Sequence, residues 1–156
     1  MFFKKRVIAD ADPFSSKWAP VVLRFFQLFI GDQSVAEALT IETLAEHVRA
    51  SGAISDGEAA VPLLRRALLK AVDANTAASQ HADPVVRAVT QLEPTRRAVI
   101  VLFRGLSLDL VTVGQITGLE KVRVRRLCGE ALEELHGLMD SAKTMRPVPP
   151  ALREAQ

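Results

Sequence analysis

Four basic residues crowd into one short segment of the chain, where their side chains could pair with the phosphates or base edges of a nucleic acid. They are Lys121, Arg123, Arg125 and Arg126, and two valines, Val122 and Val124, stand between them. Taken alone, alternation of apolar and basic residues is typical of a half-buried strand, which would have no obvious partner. The same residues on a helix would suit the major groove of DNA.

A helix explains the segment better, because an apolar stripe continues from Val124 at helical spacing. The stripe consists of Val124, Cys128, Ala131, Leu135 and Leu138. At about 100° per residue, the arginines fall on the opposite face, with Val122 among them. We therefore predict a helix over about 120–143 with one buried and one DNA-binding side. The predicted DNA-binding residues are Lys121, Val122, Arg123, Arg125 and Arg126.

A shorter predicted helix precedes this one and completes a helix-turn-helix. Asp109 is a suitable N-cap for a helix over 110–117, and Gly118 supplies the backbone freedom for a turn. Gly114 would let the two helices approach each other. A second helix with basic residues in its first turns is the geometry that docks into a major groove. There, an arginine can pair with guanine or hold a phosphate, and Val122 can contact a thymine methyl group.

Enzyme chemistry has little support in the sequence. His47, His81 and His136 are scattered without the spacing of metal ligands, and no Gly-rich phosphate loop occurs. The single cysteine, Cys128, falls on the apolar stripe and is interpreted as a small core residue. We therefore predict that the protein is not an enzyme and needs no cofactor or metal.

The remaining sequence predicts further helices, so the expected fold is all-α. Helical patterns run from about residue 13 to the Gly31-Asp32 turn, then over about 33–50, 61–74, 84–91 and 94–104. A small, polar stretch over 75–83 predicts a linker between two small helical domains, 13–74 and 84–143. The Pro-rich end, 144–156, predicts a disordered tail.

Composition and local patterning bear on the location of the protein. The chain has 156 residues, a formal net charge of +2 and 24% charged residues, which suits a globular protein with a local rather than global basic character. The start of the chain has no apolar secretory segment before Asp10. The run VVLRFFQLFI is interrupted by Arg24 and Gln27 and is too short to span a bilayer. We predict a cytoplasmic protein that does not insert into membranes.

Two long stretches together resemble a known family. LEPTRRAVIVLFRGLSLDLVTVGQITGLEKVRVRRLCGEALEELHGLM resembles the C-terminal domain of extracytoplasmic-function (ECF) sigma factors, with its Gly-Leu-Ser turn and basic recognition helix. WAPVVLRFFQLFIGDQSVAEALTIETLAEHVR resembles the family's first conserved domain. The matching pairs are Ala19-Pro20, Gly31-Asp32, Ala36-Glu37, Leu39-Thr40 and Glu42-Thr43. The resemblance covers about residues 13–140, nearly the whole chain.

The resemblance implies two all-helical domains, called sigma regions 2 and 4, that bind core RNA polymerase and promoter DNA. It also implies an anti-sigma factor as a possible antagonist. By the same resemblance, polymerase binding would fall to Glu37, Leu39, Thr40, Glu42 and Thr43. The downstream promoter element would be contacted by Arg65, Arg66 and Lys70, and the upstream element by the basic helix.

Departures from the family pattern keep other functions open. Ala38 and Ile41 stand where the family has Asp and Gln, and Leu44 replaces a Phe. The resemblance implies that the next helix, VPLLRRALLKAVDAN, reads and melts the downstream promoter element. This helix also lacks the aromatic side chain on which a flipped base would stack. One alternative is a sigma mimic that binds a sigma antagonist through an apolar contact. Another is a stand-alone helix-turn-helix regulator that uses only residues 84–143.

Overall fold

The computed structural model describes residues 13–51, 58–74 and 83–144. These residues form seven α-helices and one short π-helical turn, with no strand among them, which confirms the predicted all-α fold. The helices are α1 (Pro13–Ile30), α2 (Gln33–Ser51), α3 (Ala60–Asp73), α4 (Pro84–Gln91), α5 (Pro94–Ile100), α6 (Leu110–Thr117) and α7 (Lys121–Thr144). The predicted linker over 75–83 and the predicted tail over 144–156 lie outside the described residues, except for Asp83, which caps α4, and Thr144, which ends α7.

Local sequence signals set several of the helix ends. The carboxylates of Asp83, Glu93 and Asp109 accept backbone N–H groups at the starts of α4, α5 and α6, where a helix leaves donors without partners. Gly31 and Gly118 follow α1 and α6 with φ of 79° and 75°, a left-handed conformation that favours glycine. The helix boundaries were therefore predictable to within one or two residues.

The end of α5 is the exception, because the predicted single helix over 94–104 does not form. The α-helix stops at Ile100, and a π-turn over Val101–Gly105 follows, with the N–H of Leu106 donating to the carbonyl of Val101 at 3.0 Å. A Cβ on Gly105 would lie 2.6 Å from Cδ1 of Leu28, so the turn approaches α1 closely. Arg24 of α1 donates to the carbonyl of Gly105 at 2.9 Å. Packing against α1 thus accompanies the change of helix type.

Buried side chains from both halves of the chain form one hydrophobic core. The N-terminal half contributes Phe25, Phe26 and Phe29 of α1, and the C-terminal half contributes the predicted stripe of α7. Of that stripe, Val124, Cys128, Ala131 and Leu135 are buried and Leu138 is partly buried. α1 packs against α4 and the π-turn, and α3 packs against α6. The two halves are therefore in contact, while their division into domains 13–74 and 84–143 stays a prediction.

One buried arginine lies where the two halves meet. Arg97 is only 5% exposed, and its guanidinium donates to the carbonyls of Thr90 (2.6 Å), Leu92 (2.9 Å) and Phe29 (3.3 Å). The guanidinium carbon also lies 5.0 Å from the centre of the Phe29 ring. Burial lowers the pKa of Arg97, and the charge of Glu93 opposes that shift. The side chain thus joins the end of α1 to the corner between α4 and α5.

The preceding residue, Arg96, faces the other way and holds α7. Its guanidinium donates to the carboxylates of Glu134 at 3.0 Å and Glu130 at 3.1 Å. Hydrogen bonds from these two carboxylates raise the pKa of Arg96. The side chains of all three residues remain more than a third exposed, so solvent screens the ion pairs.

We expect Arg97→Met to lower the free energy of unfolding by about 3 kcal/mol or more, because it leaves buried carbonyls without donors. Urea denaturation followed by circular dichroism would measure the loss. Arg96→Met is the matched control, and its loss should be clearly smaller since its ion pairs are exposed to solvent. Equal losses for the two variants would contradict the central role assigned to Arg97.

Candidate nucleic-acid interface

The predicted helix-turn-helix is present as α6, a short turn and α7. The carboxylate of Asp109 accepts the backbone N–H of Thr112 at 2.9 Å and its hydroxyl at 2.7 Å. These hydrogen bonds lower the pKa of Asp109. On the inward face of α6, Val113 and Ile116 are buried. The cap and the buried face together fix where α6 begins and how it is oriented.

Gly114 is required where the turn folds back over α6. A Cβ at this position would lie 2.7 Å from the carbonyl oxygen of Leu119, which is too close for a carbon and a backbone oxygen. The carbonyl of Gly114 accepts the N–H groups of Gly118 at 2.8 Å and Leu119 at 3.2 Å. The absence of a side chain at Gly114 therefore lets the turn carry the chain directly into α7.

The opening turns of α7 bury one face and expose the other. Val124 is 0% exposed and packs in the core, whereas Val122 is 80% exposed. All five predicted DNA-binding residues lie on the solvent side, and we call this surface the basic face: Lys121, Val122, Arg123, Arg125 and Arg126. Leu127 is buried on the same side of the helix as Val124. The structure thus brings all five residues together on one short stretch of helix.

Charge changes sign along α7. Arg126 lies 3.8 Å from Glu130, and Glu130 in turn binds Arg96. Within the described part of the chain, no ion pair engages Lys121, Arg123 or Arg125. Acidic side chains follow in the later turns of the helix. The positive charge available to a partner is therefore concentrated in the first two turns.

Arg123 occupies the edge of the basic face. It borders an apolar groove between α3, α5 and the helix-turn-helix, which Leu69, Val72 and Asp73 of α3 also line. Arg125 has no such neighbours in the groove. Substitution of Arg125 is accordingly the cleaner test of this surface.

The residues expected to contact a downstream promoter element are engaged within the chain. Arg65 donates to the carbonyl of Gln115 in α6, and Arg66 lies 3.8 Å from Glu46. Lys70 donates to Glu42 and Glu46, each at 2.9 Å. Hydrogen bonds to these carboxylates raise the pKa of Lys70. The hydrogen bond from Lys70 also lowers the pKa of Glu46.

The residues expected to bind polymerase lie on α2, but they do not share one surface. Thr40 and Thr43 are buried, and their hydroxyls donate to backbone carbonyls one turn earlier, at 2.7 and 2.6 Å. Leu39 is half-buried against the core. Glu37 accepts a hydrogen bond from Gln33, and the exposed Glu42 binds Lys70. Only the two glutamates thus offer polar groups outward.

An exposed apolar surface lies on the same helix, and sequence reasoning singled out only Ala38 and Ile41 of it. We call it the α2 stripe, and its members are Ala38, Ile41, Ala45 and Val48. Ile41 is 45% exposed and Val48 is 40% exposed. The buried side of α2 is formed by other residues, namely Ala36, Thr40, Thr43, Leu44 and His47. Ala38, Ile41, Ala45 and Val48 recur at spacings of three and four residues on a second face of the helix. This spacing could have separated the exposed apolar residues from the buried ones.

No protein-family model matches the chain, and no curated protein matches it. The resemblance to ECF sigma factors therefore rests on the motifs quoted above.

Within the described residues, no three His, Cys, Asp or Glu side chains are grouped as metal ligands would be. No described helix has the length and apolar character needed to cross a bilayer.

We expect Gly114→Ala to lower the free energy of unfolding by about 1–3 kcal/mol, because the new methyl group meets a backbone oxygen that cannot move aside cheaply. Gly129→Ala is the matched control. Nothing lies within 4 Å of a Cβ there, so alanine should stabilise the middle of α7 by about 0.5–1 kcal/mol. Chemical denaturation of both variants would measure the two changes. A stabilising Gly114→Ala would show that the turn is not constrained in this way.

Proposed function

We propose that the protein is a sigma-like factor that binds core RNA polymerase and directs promoter-specific transcription initiation in the cytoplasm. One observation carries the proposal: a helix-turn-helix whose second helix exposes four basic side chains in its first two turns. The family resemblance gives this surface a role, because there the final helix contacts the upstream promoter element. No catalytic step is part of the proposal.

DNA fits the basic face in both charge and shape. Duplex DNA presents closely spaced phosphates, and the major groove admits an α-helix. Arg125 is exposed and is not held by a carboxylate within the described residues, so its guanidinium is available to a phosphate or a guanine edge. The acidic later turns of α7 are unsuited to phosphates. These features favour docking through the start of the helix rather than along its length.

Core polymerase would contact the N-terminal half through α2. The α2 stripe supplies an apolar centre, and Glu37 and Glu42 supply polar groups beside it. An apolar centre with a polar rim is the usual anatomy of a protein–protein interface. Contact of Arg65, Arg66 and Lys70 with a downstream element would require exchange of their present bonds for bonds to DNA.

A sigma mimic that binds an anti-sigma factor is the second candidate. It is favoured by the α2 stripe, where apolar Ala38 and Ile41 replace polar residues of the family, and by the engagement of Arg65 and Lys70 within the chain. A stand-alone helix-turn-helix regulator is a third candidate, favoured by the exposure of the basic face beside a folded N-terminal half. Only the sigma-like factor is expected to bind core RNA polymerase, so a measurement of polymerase binding distinguishes it from the mimic and the stand-alone regulator.

DNA binding is tested with Arg125→Ala. The variant should bind duplex DNA more weakly, and the slope of log K against log salt should become shallower by about 0.9 if Arg125 holds one phosphate. Fluorescence anisotropy across a salt series measures both quantities. Arg49→Ala removes an exposed arginine from α2 and should leave both unchanged. Identical behaviour of the two variants would show that the basic face is not the DNA-binding surface.

Polymerase binding is tested with Ile41→Lys, measured by biolayer interferometry against core RNA polymerase from the protein's own source. The unmodified chain should bind at nanomolar concentrations, and the new charge at the centre of the α2 stripe should weaken binding at least about tenfold. Val85→Lys is the control, because Val85 is 43% exposed on α4 and Ile41 is 45% exposed. A change at Glu42 would be less clear, since Glu42 also binds Lys70.

Absence of polymerase binding at micromolar concentrations would contradict the sigma reading. Binding to purified anti-sigma factors from the same source, again weakened by Ile41→Lys, would then support the mimic. DNA binding without either protein contact would support the stand-alone regulator.

A further inference from the structure

We propose that Val122 determines sequence specificity by packing against the 5-methyl group of a thymine in the major groove. The inference rests on the proposed DNA-binding function and names the base that the basic face recognises. In this arrangement Val122 contacts the base, and the surrounding basic residues hold the DNA.

The exposure of Val122 is the first observation. At 80%, it is more exposed than any other large apolar side chain in the described residues, and it lies between Lys121 and Arg123. The neighbouring Val124 is fully buried, so the helix does not need a second valine for its core. Val122 gains little packing from the chain itself, which leaves its methyl groups free to pack against a partner.

The position of Val122 on α7 is the second observation. At about 100° per residue, Val122 lies roughly 160° from the buried Val124, near the middle of the outward face. Arg126 lies on one side of that midline and Arg125 on the other. A helix that docks through charge pairs on both flanks brings its midline residue nearest to the floor of the groove. Val122 is therefore placed to meet base edges, while the arginines are placed to meet phosphates or guanines.

The space around the outward face is the third observation. Gly129 lies two turns beyond Val122 on the same face, and nothing lies within 4 Å of a Cβ built there. The helix surface is consequently low two turns beyond Val122, where no side chain at position 129 keeps the duplex away. Beyond this point Glu130 is held by Arg96 and Glu133 is exposed, so the surface that suits DNA ends there.

The chemistry of the major groove selects the ligand. A valine side chain neither donates nor accepts hydrogen bonds, and the thymine methyl is the one apolar group that a base pair presents in that groove. Burial of one methyl group corresponds to about a fourfold change in affinity. Val122 should thus favour thymine over the other bases at one position of the site.

The test compares thymine with deoxyuridine, which pairs identically but lacks the methyl group. A binding site is first selected from random-sequence duplex DNA, and each thymine in it is then replaced singly by deoxyuridine. The unmodified protein should lose about fourfold in affinity at one position. Val122→Ala should bind both duplexes with a ratio close to one. Val111→Ala, at a valine that is 52% exposed on α6, should keep the fourfold ratio.

The outcomes separate the inference from the function on which it rests. If deoxyuridine has no effect at any position, or if Val122→Ala keeps the same ratio, the inference is overturned and DNA binding stands. If the unmodified protein selects no sequence and shows no salt-dependent binding to the pool, the DNA-binding function fails and the inference fails with it. Circular dichroism melts of the two alanine variants establish that both are folded.

Discussion

The structure depends on one buried guanidinium, that of Arg97. It joins the last turn of α1, through the carbonyl of Phe29, to the corner between α4 and α5, through the carbonyls of Thr90 and Leu92. A charge buried with fewer partners would be destabilising, so these carbonyls are what permits an arginine in the core. Because Arg96 points outward to α7 from the adjacent position, α5 fixes both α1 and α7.

The distribution of charge follows from which basic residues the fold uses itself. Lys70 and Arg66 lie between α2 and α3 with Glu42 and Glu46, and a carboxylate in contact cancels most of the field that a phosphate would feel. On α7 the basic residues precede the acidic ones by about a turn, so most of them have no carboxylate in reach. A net charge of only +2 therefore coexists with a strongly basic local surface.

Elements whose causes are local were predictable from the sequence, and elements whose causes are tertiary were not. Asp109 and Gly118 act within one turn of chain, so the bounds of α6 followed from them. The outward position of Val122 followed from helical periodicity alone. The π-turn at Val101 and the burial of Arg97 depend on α1, about 70 residues away, and no local pattern encodes them. Thr40 fitted a binding motif and a core position equally well, and only packing decides that it is buried.

The two DNA contacts that the proposed function includes make different demands on this structure. The basic face of α7 is already exposed, so upstream recognition needs no rearrangement. Arg65 is bonded to the carbonyl of Gln115 in α6, and a downstream contact by Arg65 would require that this bond break. Glu42, which holds Lys70, lies beside the α2 stripe. A polymerase surface that bound Glu42 would take up one of the two carboxylates that hold Lys70, while Glu46 would keep its bond to Lys70. In the proposed function, polymerase binding would therefore weaken the hold of α2 on Lys70 without releasing it, and upstream recognition by the basic face would not involve these residues.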